Sequence, residues 1–364
     1  MEEQAQHWER RAPSEGEPGE VWIVGAGALG GALGALVARS GRRPIWLRRP
    51  GSDVPAGLEV LGPAGEELWK APDPIADFFP ETPKNLSPAA IFVCVKVYDT
   101  AAVGERLGQL STEAPVLLFQ NGIGGLEELT RTLSPERVFM ALTTLAATRL
   151  DSAGTGPGIR RIQIRSEGRT HIAPSLGHNK DARGRARELA ERLASWGLET
   201  GGRETKLPRT GRPEAGSETG SETGSETASG VADSGRLEAM IWRKLLINAS
   251  INALTGLLGV ENGRLLESAS ASALADAAAR ETIAVARACG IDDPGPVERW
   301  REVARRTAQN RSSTLQDLAA GRRTEIEAIN GAIAARGAEQ SVAAPVNRLL
   351  AELVRAREEL AGGA

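Results

Sequence analysis

Up to about residue 200 the chain alternates between two hydrophobic rhythms, and after residue 235 it keeps to one. In the first stretch, short apolar runs (VWIVGAG, PIWLRR, AIFVCVKV, APVLLFQNG, VFMALTTLAA) are separated by segments of helical spacing such as LGGALGALVARSG, TAAVGERLGQL and LEELTRTL. Short apolar runs interleaved with helices are the pattern of a parallel sheet covered by helices. After Leu150 the polarity changes, and GIRRIQIRSEGRTHIAPS reads as two antiparallel edge strands around a Glu-Gly turn that close this domain. ARGRARELAERLASWG adds one amphipathic helix. From Gly235 onward the period is helical almost throughout, broken at TGLLGVENG, CGIDDPGP and AAPVN. The predicted organisation is a flexible tail over 1–19, an α/β domain over 20–200, an insertion over 201–234 and an all-α domain over 235–364. The insertion carries the tetrad GSET three times in succession and has too few apolar residues to offset the entropy of ordering it, so it reads as an exposed flexible segment.

Composition narrows the partners. With 364 residues the chain exceeds one ordinary core, in keeping with two domains. Apolar residues at 41%, charged residues at 25% and a net charge of -3 give no bias toward nucleic acid or an anionic membrane. No run approaches the roughly 18 uninterrupted apolar residues of a membrane span, and the first 20 residues lack the apolar core of a secretory signal, so a cytoplasmic protein is expected. Cys94 and Cys289, the two cysteines, lie far apart without metal-ligand spacing and read as buried thiols in a reducing compartment; no metal site is expected. Of the 44 basic residues only six are lysines, and only Lys96 and Lys244 sit inside apolar sequence. In a chain that otherwise uses Arg, a Lys there points to a compact, titratable ammonium.

Four stretches carry candidate chemistry. Gly25-Ala26-Gly27-Ala28-Leu29-Gly30 fits G-x-G-x-x-G between an apolar strand and an Ala/Leu-rich helix, the context a dinucleotide turn requires; the alternative is a plain structural turn. About 20 residues on, where NAD-binding versions carry an acid for the ribose hydroxyl, stand Arg48 and Arg49, which suit a 2′-phosphate and therefore NADPH, unless they are ordinary surface arginines. Lys96 and Asn121 close two successive strands, at the edge where ligands bind in open parallel sheets. In WRKLLINASIN, Lys244, Asn248 and Asn252 recur every four residues, a stripe that stays on one helix face at 3.6 residues per turn and needs internal acceptors or a ligand if it points inward. QNRSSTLQDLAAGRRTEIEAINGAI contributes Asn310, Ser313 and Glu325, the last also readable as a first-turn acid favoured by the helix dipole.

Taken together, the glycine turn, VKVYDT, LLFQNGIGG, WRKLLINASINALTGLLGVENGRLL and NRSSTLQDLAAGRRTEIEAINGAIAARG resemble the ketopantoate reductase (2-dehydropantoate 2-reductase) family. The resemblance covers nearly everything except residues 1 to 19 and the insertion. It implies an N-terminal Rossmann-type dinucleotide-binding domain followed by an all-α domain of the 6-phosphogluconate dehydrogenase C-terminal type. It also implies NADPH-dependent reduction of 2-dehydropantoate to (R)-pantoate on the route to pantothenate and coenzyme A. Carried over residue by residue, Lys244 matches the catalytic lysine and Glu325 the acid that binds substrate beside the cofactor. Asn121, Asn248, Asn252, Asn310 and Ser313 match active-site polar positions, and Lys96 a lysine at the nicotinamide end. The partner implied is a small 2-oxo acid, with a homodimer left open. The chain departs from the family in its extended N-terminus, in the GSET insertion and at Leu145, where many relatives have a histidine. Two other readings stay open: a paralogue acting on another 2-oxo acid, and a non-catalytic NADP-binding sensor.

Overall fold

The computed structural model describes residues 19–47, 57–72, 75–76, 88–150, 159–166, 168–175, 180–198 and 234–362. The N-terminal tail, Arg48, Arg49 and the GSET repeat fall outside the described residues. The first half builds β1 (Glu20–Val24), α1 (Ala28–Arg39), β2 (Arg43–Leu47), β3 (Gly57–Leu61), β4 (Glu67–Pro72), β5 (Ile75–Ala76) and β6 (Ala90–Val93). It continues with α2 (Thr100–Gly108), β7 (Val116–Leu118), α3 (Gly125–Thr130), β8 (Val138–Thr143), β9 (Ala146–Leu150), β10 (Ile159–Ser166), β11 (Thr170–Pro174) and α4 (Lys180–Ser195). The second half is helical: α5 (Ser234–Leu258), α6 (Ala269–Ala288), α7 (Arg299–Arg306), α8 (Ser313–Ala319), α9 (Asn330–Glu339) and α10 (Pro345–Gly362).

A seven-stranded sheet runs in the order β11-β8-β7-β6-β1-β2-β5, parallel throughout except for β11, which is antiparallel to β8. Its strands are apolar on both sides because both sides are covered: Ile23, Phe92 and Leu117 face one buried cluster, and Val24, Val93 and Leu118 face another. The expected edge hairpin did not form. β10 leaves the main sheet for a four-stranded one, β4-β3-β10-β9, and only β11 closes the edge of the first. The reason lies in what each strand buries. Ile162 of β10 is fully buried against α1, where a Cβ on Gly31 would lie 2.1 Å from its Cδ1, so the small face of the glycine-rich helix is the seat of the second sheet. The run VFMALTTLAA, which reads as one strand, is likewise split at Thr144 and Leu145 between the two sheets.

α5 is apolar around most of its circumference and runs through the centre of the helical half, with Leu245, Leu246, Ala249, Ile251, Ala253 and Leu254 all buried. The hydroxyls of Ser250 and Thr255 are satisfied by donating to the carbonyls of Leu246 (2.8 Å) and Ile251 (2.9 Å) one turn back. Its first turns pack elsewhere: Leu237, Met240 and Ile241 join the core beneath the seven-stranded sheet. One helix therefore belongs to both cores, which fixes Lys244 near the junction. No helix among the described residues is long and apolar enough to cross a membrane.

Candidate functional site

In the seven-stranded sheet β1 lies between β2 and β6, so the strand order reverses there and the loops after β1 and β6 diverge to opposite sides. Ladder bonds from Cys94 N to Val24 O (2.8 Å) and from Phe119 N to Val93 O (2.9 Å) hold three strand ends level. Above them is a cleft of about 420 Å³ whose walls include the glycine turn, Lys96 and Asn121 from the sheet side and Ser313, Asp317 and Glu325 from the helical side.

The glycine turn fits a dinucleotide. Gly25 has φ +107, open to glycine at little cost, and a Cβ there would lie 3.0 Å from the backbone of Cys94. A Cβ on Gly30 would lie 2.0 Å from the carbonyl oxygen of Gly25, so the helix starts hard against the strand end. Gly27 by contrast has nothing within 4 Å, leaving a free path to the start of α1, which has no side-chain cap and no acid in its first turn. Unsatisfied N–H groups at the positive end of a helix are what a pyrophosphate requires. Arg149 and Arg160, from β9 and β10, line the same cleft, and Arg160 donates from Nη1 to the carbonyl of Ala26 at 2.5 Å. The thiol of Cys94 is held well above its ordinary range by burial and stays protonated.

At the opposite wall the two halves of the chain are joined by charge. Lys96 Nζ lies 2.8 Å from Asp317 Oδ2 and 3.3 Å from Glu325 Oε2, and Glu325 Oε1 accepts from Val97 N at 3.4 Å. Burial alone would lower the Lys96 pKa, but Glu325 and then Asp317 outweigh it and hold the ammonium above its ordinary range. Asp317 also binds Arg322 Nε at 3.1 Å. Next to this cluster, Tyr98 donates to the carbonyl of Arg323 at 3.4 Å, and the guanidinium of Arg323 lies 4.6 Å from the Tyr98 ring centre. The loop carrying Asn121 docks just beyond. Gly122, at φ +83, sits so close to Ala328 that a Cβ would lie 2.3 Å from its oxygen, and that oxygen accepts from Ile123 N at 3.1 Å.

Lys244 projects from α5 to donate to the carbonyl of Thr143, at the end of β8, at 3.0 Å. Burial lowers its pKa to about 8, while Glu325 pulls in the other direction. Asn248 and Asn252 follow it along the helix, one half-buried and the other buried, and among the described residues their side chains make no hydrogen bond.

The geometry thus brings Lys96, Asn121, Ser313 and Glu325 to one cleft, with Lys244 coupled to it through Glu325. Asn310 is exposed and off the cleft lining, its carbonyl engaged by Asn262 N at 3.0 Å. Leu145 packs against the core between the sheets and does not line the cleft. Sequence reasoning passed over Asp317, although a lone acid in LQDLAAG, four residues after Ser313 on the same face of α8, was a usable signal. It also passed over Arg149, Arg160, Tyr98 and Arg322. Their place on the cleft depends on the second sheet and on the docking of the two halves, which periodicity does not show.

Comparison with known proteins agrees with this reading. The family profile described as "Ketopantoate reductase PanE/ApbA" matches residues 21–175, and that of the family's C-terminal domain matches residues 236–358. A 2-dehydropantoate 2-reductase from Halobacterium salinarum is 34% identical over 344 residues, covering 92% of this chain and 97% of the relative. Among solved structures, a 2-dehydropantoate 2-reductase from Geobacter metallireducens GS-15 superposes with a TM-score of 0.71 at 25% identity, covering 92% of this chain and 99% of that one. A D-mandelate dehydrogenase solved with NADH and anilino(oxo)acetate superposes with a TM-score of 0.75 at 23% identity over 94% of this chain and 99% of that one, a likeness of fold. With both profiles matched in order and a relative at this identity over nearly its whole length, the chain belongs to the ketopantoate reductase family of NADPH-using oxidoreductases.

Proposed function

We propose that the chain reduces 2-dehydropantoate to (R)-pantoate with NADPH, and that Lys244 gives the proton. The observation that carries this is the ammonium of Lys244, desolvated to a pKa of about 8 at the junction of the two domains and coupled to Glu325 on the cleft. A general acid works best with a pKa near the working pH, and a fixed ammonium also stabilises the negative charge that gathers on a carbonyl oxygen as its carbon is reduced. The glycine turn and the start of α1 would hold the pyrophosphate of NADPH, which when bound would supply the hydride. The chain's own residues do the rest. Lys244 holds the ketone oxygen and protonates it. Glu325, an acceptor when ionised, takes a hydrogen bond from the terminal hydroxyl of the substrate and repels its carboxylate, which falls to Ser313, Asn121, Asn248 and Asn252 as neutral donors. Asn310 would reach the substrate only if its loop moves inward. Lys96 keeps Glu325 in place from the cofactor side.

The test is oxidation of NADPH by the purified protein with 2-dehydropantoate, followed by the loss of reduced-nicotinamide absorbance. Turnover with 2-dehydropantoate well above that with other 2-oxo acids is expected. Preference for another 2-oxo acid would move the assignment to a paralogue, and NADPH binding without turnover on any of them would make the protein a sensor.

A further inference from the structure

Asp317 has no part in the reaction as just described, yet it is one of the most confined charges among the described residues. It is 6% exposed, on the cleft face of α8, with Oδ2 on Lys96 at 2.8 Å and Oδ1 on Arg322 at 3.1 Å. Lys96 is thereby shared. Its ammonium is closer to Asp317 than to Glu325, which it meets at 3.3 Å. Among the described residues, Glu325 in turn is the charge that opposes the effect of burial on Lys244. The three links form a chain of alternating sign, Asp317 to Lys96 to Glu325 to Lys244. We propose that Asp317 is a positioning residue that draws the Lys96 ammonium off Glu325, leaving Glu325 enough unneutralised charge to keep Lys244 protonated and to accept the substrate hydroxyl. The inference rests on the assignment of Lys244 as proton donor.

The sign follows from electrostatics. An opposite charge nearby favours the charged form of a group, and a cation placed on that opposite charge weakens the effect. With Asp317 gone, Lys96 settles on Glu325 and Lys244 gives up its proton at lower pH. With Lys96 gone, Glu325 acts on Lys244 alone and the proton is held to higher pH. Several charged groups on the helices packed against α5 engage other partners. Asp276 of α6 pairs with Arg301 of α7, Glu281 of α6 accepts from the backbone of Val346 and Asn347, and Arg357 of α10 donates to the carbonyls of Gly256 and Leu257. On β11, His171 lies opposite Leu142, next to Thr143.

The six lysines make the test direct. In protein labelled with carbon-13 at lysine Cε, the NMR signal of Lys244, assigned by its loss in Lys244→Met, is followed against pH. Asp317→Asn, of nearly the same shape, is expected to lower the Lys244 midpoint by roughly half to one pH unit, the scale on which a neighbouring charge acts in a half-buried site. Lys96→Met is expected to raise it, and Asp317→Asn in the Lys96→Met background to cause no further fall. The alkaline limb of kcat/KM, at saturating NADPH, should move with the midpoint. An unmoved midpoint in Asp317→Asn overturns the proposal. So does an equal fall with Lys96 absent, because Asp317 would then act on Lys244 directly. The midpoint is read without turnover, so a wild-type protein inactive on 2-dehydropantoate would sink the functional assignment alone, whereas an active one with an unmoved midpoint would sink this inference alone.

Discussion

Lys244→Met tests the desolvated ammonium without any substrate. Methionine keeps the apolar stem and removes the charge. In the folded protein burial lowers the Lys244 pKa to about 8 against an ordinary 10.5, a drop of about 2.5 that at roughly 1.4 kcal/mol per pH unit sets a ceiling of about 3.5 kcal/mol on what the charge costs the fold. The side chain keeps partial contact with solvent, which takes about half of this and leaves roughly 1.5 to 2 kcal/mol. Against that gain, the carbonyl of Thr143 loses its donor, at about 1 kcal/mol. Near pH 7 the variant should therefore be slightly more stable than the parent. The pH dependence is the firmer prediction. Between the two values the unfolded chain binds the proton that the folded one has released, so the wild type gains stability as pH rises from about 8 to 10.5 and Lys244→Met does not. Melting followed by circular dichroism from pH 7 to 10.5 should show the variant's advantage shrinking and then reversing, by a few degrees across the window. A melting-temperature difference that stays flat would show that Lys244 is not held in a desolvated site. The same variant should lose about 10²- to 10⁴-fold in kcat, the usual range for removing a general acid.

Gly27→Ala should leave melting unchanged, since its Cβ meets nothing within 4 Å, while weakening NADPH binding read by fluorescence titration; Gly30→Ala, with a Cβ 2.0 Å from a carbonyl oxygen, should instead lower stability by several degrees. Reversed effects would remove the pyrophosphate from this turn. Arg49→Glu should weaken NADPH much more than NADH, each charge-assisted bond to the 2′-phosphate being worth roughly 1.5 to 3 kcal/mol, and equal losses for the two cofactors would defeat the assignment. Against 2-oxoisovalerate, which lacks the hydroxymethyl group, kcat/KM should fall at least about 10²-fold from its value with 2-dehydropantoate, and Glu325→Gln should shrink that ratio, because a buried acceptor left unpaired is what rejects the analogue. A wild-type protein that used both substrates equally well would refute the role of Glu325.

Local signals in the sequence were enough for the α/β and all-α halves and for the glycine turn between β1 and α1, because each is written in a contiguous run. The Gly25 to Gly30 turn needs its glycines within six residues, and the helical stripe from Lys244 to Asn252 needs only a period. What could not be read is what two distant segments decide together. GIRRIQIRS and RTHIAPS look like a hairpin because they are adjacent and both alternate, and nothing local says that Ile162 has a glycine-lined seat on α1 while Thr170 is drawn to Thr143. Asp317 is the same case in the site. Its spacing from Ser313 places it on a shared face, but its importance comes from Lys96, 221 residues earlier, and from a docking of two domains that leaves no mark on either segment alone.

That docking also explains why so many opposite charges are kept where water is scarce. On the proposed function the cofactor and the 2-oxo acid are both anions, so a cleft that receives them would have to carry cations, and Lys96, Arg149, Arg160, Arg322 and Arg323 line it. Left alone these would repel one another and depress the Lys244 ammonium, which the proposed mechanism needs protonated. Asp317 and Glu325 counter that from the helical side, and they do so unequally: Asp317 has Lys96 and Arg322 on its two oxygens, whereas Glu325 has one ammonium and one backbone N–H. The acid with less of its charge neutralised is the one that acts on Lys244. Under the proposed mechanism, a site with two anionic guests and one proton to give needs that inequality, because a fully paired Glu325 would neither sustain the proton on Lys244 nor take a hydroxyl from the substrate.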